Sequence, residues 1–179
     1  MGEGAWLVGF IALQRLAELV LANRNTRQLL AEGGVEYGRG HYPFMVALHA
    51  AWLLGLAVLG HDRDINPLLL GVFVLLQIGR IWIIATLGHR WTTRVIVVLP
   101  GAPLVVRGPY RFLRHPNYWI VAGEIAVVPL ALGLPVFAAV FTALNAAILY
   151  QRIRVENAAL ANLSAPTGAA ASRAVQGLL

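Results

Sequence analysis

Arg107-Gly108-Pro109-Tyr110-Arg111-Phe112-Leu113-Arg114-His115-Pro116-Asn117-Tyr118 is a concentration of polar chemistry in a chain otherwise built of long apolar runs. Twelve residues hold three arginines, a histidine, two tyrosines, an asparagine and two prolines, and an apolar run begins at once after them. A segment this basic is excluded from hydrocarbon, so it lies at a membrane surface. Its prolines interrupt regular helix, which lets the side chains converge.

The composition supports that placement. Of 179 residues, 59% are hydrophobic and 12% charged, with mean hydropathy +0.70, against about 25% charged for a soluble domain. The chain reads as an integral membrane protein. It has no cysteine, which removes disulfides, thiolate metal sites and cysteine nucleophiles. All fourteen basic residues are arginine and the formal net charge is +6. They fall between apolar runs rather than along one soluble face, so no nucleic-acid partner is expected.

Outward from the basic segment, the apolar runs are Gly4–Ala22, Tyr42–Leu59, Pro67–Leu87, Tyr118–Leu134 and Pro135–Tyr150. Each of the first three is near the ~20 residues a helix needs to cross hydrocarbon, and the last two form a shorter hairpin hinged at Gly133-Leu134-Pro135. The first run contains Gln14, Arg15 and Glu18 and lacks a basic segment ahead of it, so it reads as a span and not a cleavable signal. Asn23–His41 is expected to be a polar connection. Its Gly33-Gly34 and Gly38-Arg39-Gly40 lack the preceding strand and the spacing of a dinucleotide site. Arg94–Leu99 and Pro103–Val106 are expected to form a small hairpin around Pro100-Gly101 on the membrane surface. Gln151–Leu163 is expected to continue the last run as an amphipathic helix, and residues 164–179 to be a poorly ordered tail.

Five spans place Arg24, Arg27, Arg39, Arg90, Arg94, Arg107, Arg111, Arg114, Arg152, Arg154 and Arg173 on one side and Arg63 on the other. The positive-inside rule then predicts an external N-terminus, with the basic segment and C-terminus cytoplasmic. Gln14, Arg15, Glu18, Gln77, Arg80, Glu124 and Asn145 all fall in the cytoplasmic half of their runs. Such residues pair with one another or line a wet cavity. Arg15 and Glu18, three apart, can simply neutralise each other. Glu124 is seven residues from Asn117, while Asn145, Arg152 and Glu156 follow one stripe of the last helix, so both stripes lead to the basic segment. They read either as helix packing or as a pocket entered from the cytosol and open to lipid. His41 and His49, eight apart, lack the third ligand of a metal site, and no metal is expected.

The run Leu104-Val105-Val106-Arg107-Gly108-Pro109-Tyr110 through Arg114-His115-Pro116-Asn117-Tyr118, with Glu124 and Arg152-Ile153-Arg154-Val155-Glu156 after it, resembles the isoprenylcysteine carboxyl methyltransferase family. The likeness covers roughly Gln77–Leu160. Upstream, Glu36-Tyr37-Gly38 and His41-Tyr42-Pro43-Phe44 resemble the bacterial branch that methylates hydroxyls of alkylpyrones and alkylresorcinols. Glu156 is followed by Asn157 where the family usually has a second acidic residue. The aromatic C-terminal segment of the prenylcysteine enzymes is absent, which argues against a prenylated-protein acceptor. The resemblance implies S-adenosylmethionine as cofactor, and the chemistry of the residues suits it. Arg152 can fork a carboxylate, Glu156 can accept from ribose hydroxyls, and the Gly108-Pro109-Tyr110 turn can meet adenine. By resemblance His115, Pro116 and Tyr118 also face the cofactor. Glu124 or His115 is expected to take a proton from the acceptor, and Arg114 to steady the developing oxyanion. Asn117 and Asn145 are the expected acceptor-binding residues.

The sequence therefore predicts an all-α membrane bundle of about five helices with a cytoplasmic cofactor pocket, residues 1–163 forming one domain. The expected activity is S-adenosylmethionine-dependent O-methylation of a long-chain lipid-like acceptor, most simply an alkylpyrone or alkylresorcinol hydroxyl. Carboxyl methylation of an isoprenylcysteine-like molecule is the enzymatic alternative. A non-enzymatic lipid-binding or transport bundle, whose basic loop only sets topology, is the other.

Overall fold

The computed structural model describes residues 2–97 and 105–164. Five helices carry the chain: α1 Glu3–Ala31, α2 Tyr42–Leu59, α3 Pro67–Leu87, α4 Pro116–Ala131 and α5 Pro135–Ser164. Two short strands, β1 Val35–Tyr37 and β2 Val95–Val97, pair antiparallel with Glu36 opposite Ile96. Among the described residues, four helices are long and apolar enough to cross a membrane, namely those over Glu3–Ala31, Tyr42–Leu59, Pro67–Arg90 and Pro135–Ala158. With 16 residues, α4 is about 24 Å long, short of a ~30 Å hydrocarbon core. It enters the bundle packed between α3 and α5.

Local sequence sets the helix ends. Asn66 accepts from the amides of Leu68 at 3.0 Å and Leu69 at 3.2 Å, and Pro67 fills the first helical position of α3, where no N–H is needed. Pro116 opens α4 in the same way. Pro129 inside α4 removes the donor that would have bonded the Ile125 carbonyl. Trp52 of α2 takes up that carbonyl through Nε1 at 3.3 Å, so a helix defect becomes an interhelical bond.

Two expectations about extent change. Helix α1 does not stop at Ala22 but runs 29 residues to Ala31, because no glycine or proline follows Ala22 until Gly33-Gly34. Its extension is anchored by Asn25, whose Nδ2 donates to the Trp91 carbonyl at 2.8 Å. Helix α5, as expected, continues from the last apolar run into the amphipathic segment, 30 residues from Pro135 without a break. Strand β2 pairs with β1 in the connection between α1 and α2, where a polar loop was expected. The remainder of the expected Pro100-Gly101 hairpin and the tail beyond Ser164 lie outside the described residues.

Leu7, Val8, Ile11, Trp52, Leu56, Phe73, Ile125, Val128 and Leu132 form the main core, drawn from four helices. The α3–α4 contact is close because its small residues alternate. A Cβ on Gly79 would meet Ile120 Cδ1 at 2.9 Å, and one on Gly123 would meet Leu76 Cδ2 at 3.0 Å. Large apolar side chains such as Trp6, Leu13, Phe44, Leu54, Ile81 and Trp119 point outward, as lipid contact requires. The molecule is an integral membrane helical bundle.

Candidate active site

The polar residues gather on two floors. The upper one, at the start of α4, is built on Tyr118. Its hydroxyl donates to the Glu156 carboxylate and accepts from Arg152 Nε at 2.9 Å, tying α4 to α5. Arg152 spends Nη1 on the Thr93 carbonyl at 2.7 Å and contacts Met45 Sδ at 3.0 Å, so the loop after α3 and the start of α2 also converge on it. The His115 ring stacks on Tyr118, 5.2 Å between centroids and 12° from parallel, with Nδ1 3.7 Å from Glu156. Arg152 is buried and Glu156 half-buried.

A latch of charges braces this floor from the side of the β1–β2 ribbon. Glu36 on β1 accepts from Arg94 at 3.0 and 3.2 Å and pairs with Arg39 at 3.3 Å. The Arg94 guanidinium lies over the Tyr42 ring at 4.7 Å, and the Tyr42 hydroxyl meets Thr93 Oγ1 at 3.2 Å. Thr93 is the residue whose carbonyl holds Arg152. The Glu36 and Tyr42 motifs that stood apart in the sequence thus brace the loop that orients the buried arginine.

The Gly108-Pro109-Tyr110 turn flanks the floor. Gly108 sits at φ +59, and a Cβ there would meet Thr86 Oγ1 at 2.5 Å, so both conformation and space demand glycine. Pro109 is buried. Tyr110 is half-buried, and burial followed by the nearby Glu156 charge pushes its phenol up to about 12, so it remains a neutral donor at physiological pH. Pro116 is buried in the first turn of α4. Arg114 is exposed.

The lower floor lies roughly 9 Å deeper, six residues along α4 at the helical rise. Glu124 accepts from Arg80 Nε at 3.0 Å and Gln77 Nε2 at 2.6 Å through one oxygen. Its other oxygen meets both Arg15 and Arg80. Glu18 closes the ring, pairing with Arg15 at 2.9 Å and Arg80 at 3.2 Å and accepting from Gln14 at 2.9 Å. Two arginines and two glutamates, with two glutamines, join α1, α3 and α4 in a charge-balanced unit. Sequence spacing suggested the Arg15–Glu18 pair but not its partners on other helices. The expectation that Glu124 takes a proton is revised by this geometry: a carboxylate holding four donors has no lone pair directed at an acceptor.

Asn145 on α5 lies at comparable depth, seven residues before Arg152. It is 1% exposed, and neither amide atom finds a partner among the described residues. Asn117 has a buried, unpartnered Oδ1. Buried amides left this way are sites for a ligand or water to complete. His49 of α2, which sequence reading considered only as a metal ligand, sits between the floors.

The upper floor fits S-adenosylmethionine. Arg152 Nη2 and Glu156 Oε1 make no hydrogen bonds among the described residues. A guanidinium donor for a carboxylate and a carboxylate acceptor for ribose hydroxyls are therefore open side by side.

The chain was compared with known proteins. Residues 69–162 match the model of the isoprenylcysteine carboxyl methyltransferase family. The "Uncharacterized protein YpbQ" of Bacillus subtilis strain 168 is 36% identical over 163 residues, which cover 88% of this chain and 96% of that protein. An "Uncharacterized protein" of Haemophilus influenzae strain Rd is 23% identical over 160 residues, 83% of this chain and 90% of it. No solved structure matches. The matched segment runs from α3 through the upper floor into α5, and on that match the chain belongs to the isoprenylcysteine carboxyl methyltransferase family.

Proposed function

We propose that this membrane methyltransferase transfers a methyl group from S-adenosylmethionine to the hydroxyl of a long-chain lipid-like acceptor, an alkylpyrone or alkylresorcinol being the simplest fit. The observation that carries the reading is the stacking of two floors. An open arginine and glutamate lie on the upper floor. An unpartnered buried amide, Asn145, lies about 10 Å beneath them.

S-adenosylmethionine supplies an electrophilic methyl group when bound. Arg152 and Glu156 would hold its aminoacyl and ribose ends, with His115, Pro116, Tyr118 and the Gly108-Pro109-Tyr110 turn walling it. Asn145 and Asn117 would orient the acceptor head, while its alkyl tail stays in hydrocarbon. Holding acceptor and donor in line and excluding water can supply about 7–11 kcal/mol of the barrier. Arg114, exposed in this arrangement, would reach the acceptor oxygen only by rotating inward.

The acceptor reading is tested with resorcinols and pyrones of increasing chain length at fixed headgroup. Each buried CH₂ contributes about 0.8 kcal/mol, so kcat/KM rises roughly three- to fourfold per carbon until the groove is filled. Efficient methylation of farnesylcysteine derivatives, with resorcinols and pyrones inert at every length, would overturn the hydroxyl reading in favour of carboxyl methylation.

The site is proposed to face the cytoplasm of a bacterial inner membrane, with the N-terminus outside. Because the chain has no cysteine, introduced thiols label uniquely. Cysteines replacing exposed Glu32, Phe112 and Asn157 should be protected from an impermeant reagent in intact cells, and one replacing Arg63 should react. Labelling of Phe112→Cys from outside would invert the topology.

A further inference from the structure

Methylation of a hydroxyl requires a group that takes its proton, and the floors described so far leave that place empty. Glu124 is filled by four donors. Tyr110 keeps its own proton, and His115 is stacked on Tyr118 with Nδ1 turned to Glu156.

His49 is free for that task. Helix α2 turns Leu48, Trp52 and Leu56 into the bundle, and His49 lies on this side, one turn from both Met45 and Trp52. Met45 touches Arg152 on the upper floor, and Trp52 bonds the Ile125 carbonyl next to Glu124 on the lower one. His49 is thereby bracketed between cofactor residues and the acceptor floor. Its Nδ1 lies 2.8 Å from the Met45 carbonyl. A carbonyl only accepts, so Nδ1 carries the proton and Nε2 presents a lone pair. Among the described residues Nε2 makes no hydrogen bond. The charged groups that face the ring are Arg15 on α1, Arg80 on α3 and Glu124 on α4, with Arg152 of α5 reached through Met45.

We infer that His49 is the general base for the acceptor hydroxyl, a role that rests on the hydroxyl reading above. The acceptor O–H bond breaks as an N–H bond forms at Nε2, and the electron pair stays on the oxygen, which becomes the nucleophile. The imidazolium keeps its Nδ1–H on the Met45 carbonyl, which holds the ring in place. After turnover the new proton leaves to water at the cytosolic mouth. An imidazole with an open lone pair suits a base for this hydroxyl better than a carboxylate already committed to arginines.

The test uses His49→Ala and His49→Gln in the full-length protein in detergent, with S-adenosylhomocysteine affinity as the control for folding. The first readout is independent of turnover: the visible titration of a bound long-chain alkyl nitrophenol. The wild type should ionise the bound probe at a pH at least about one unit below that seen in either variant. The second is the rate with an alkylresorcinol, which should fall by about 10²–10⁴-fold near neutrality, partly return with added imidazole, and recover at high pH where the acceptor ionises unaided. Variants that bind S-adenosylhomocysteine normally and match the wild type in probe titration and resorcinol rate would sink the inference alone. A wild type that methylates carboxylates and no hydroxyl would sink the acceptor reading, and the inference with it.

Discussion

Glu124→Ala should unfold or severely destabilise the protein, by about 3–5 kcal/mol. The carboxylate stands between Arg80 and Arg15, and it also receives Gln77. Removing it strands two guanidinium groups in a low-dielectric interior with Glu18 as their only remaining anion, and breaking a buried ion pair from one side carries that penalty. Arg80, 2% exposed, has no route to water. Glu124→Gln keeps the shape but loses the charge, and should lie between the wild type and Glu124→Ala. The measurement is thermal aggregation or proteolysis in detergent. If Glu124→Ala were as stable as the wild type yet devoid of resorcinol turnover at neutral pH, the carboxylate would be catalytic and the structural role assigned to it here would be wrong. The same logic makes Arg15 the device that attaches α1, because its guanidinium reaches from the first helix to Glu124 on the fourth.

The second large effect is expected at the mouth. Glu156→Ala should weaken S-adenosylhomocysteine binding about ten- to a hundredfold, since a hydrogen bond to a charged group contributes about 1.5–3 kcal/mol. Besides its open oxygen, Glu156 holds the Tyr118 hydroxyl and faces His115. Its loss therefore also frees the ring pair proposed to wall the cofactor. Stability should change little, because Glu156 is half-buried and water can replace the lost contacts. Calorimetry on the folded variant checks this, and wild-type-like affinity would remove Glu156 from the site.

Membrane class, the apolar helices and the position of the basic motif ahead of α4 were legible in the sequence because each is a local property. Apolar runs of about 20 residues, Asn66-Pro67 at a helix start, Pro116 at another and Gly133 at a hinge act through neighbouring backbone alone. The pairing of Arg152 and Glu156 with the Tyr118 motif was legible too, since helical periodicity puts the two acting residues on one stripe. The extent of α1 was misjudged because hydropathy marks where a helix leaves lipid, not where it ends, and α1 runs on into polar sequence without a breaker, whereas the continuation of α5 past its apolar run followed from its unbroken stripe. Only the tertiary structure decided what the intramembrane charges do. Arg15 and Glu18 look self-sufficient at i,i+3, and Glu124 looks free, until α1, α3 and α4 pack and bring Arg80 between them. The same holds for the β1–β2 ribbon, whose strands come from connections some sixty residues apart, and for His49, which has no motif of its own. Its place between the floors follows from what its helix neighbours Met45 and Trp52 touch on α5 and α4, contacts between distant segments that no local spacing encodes.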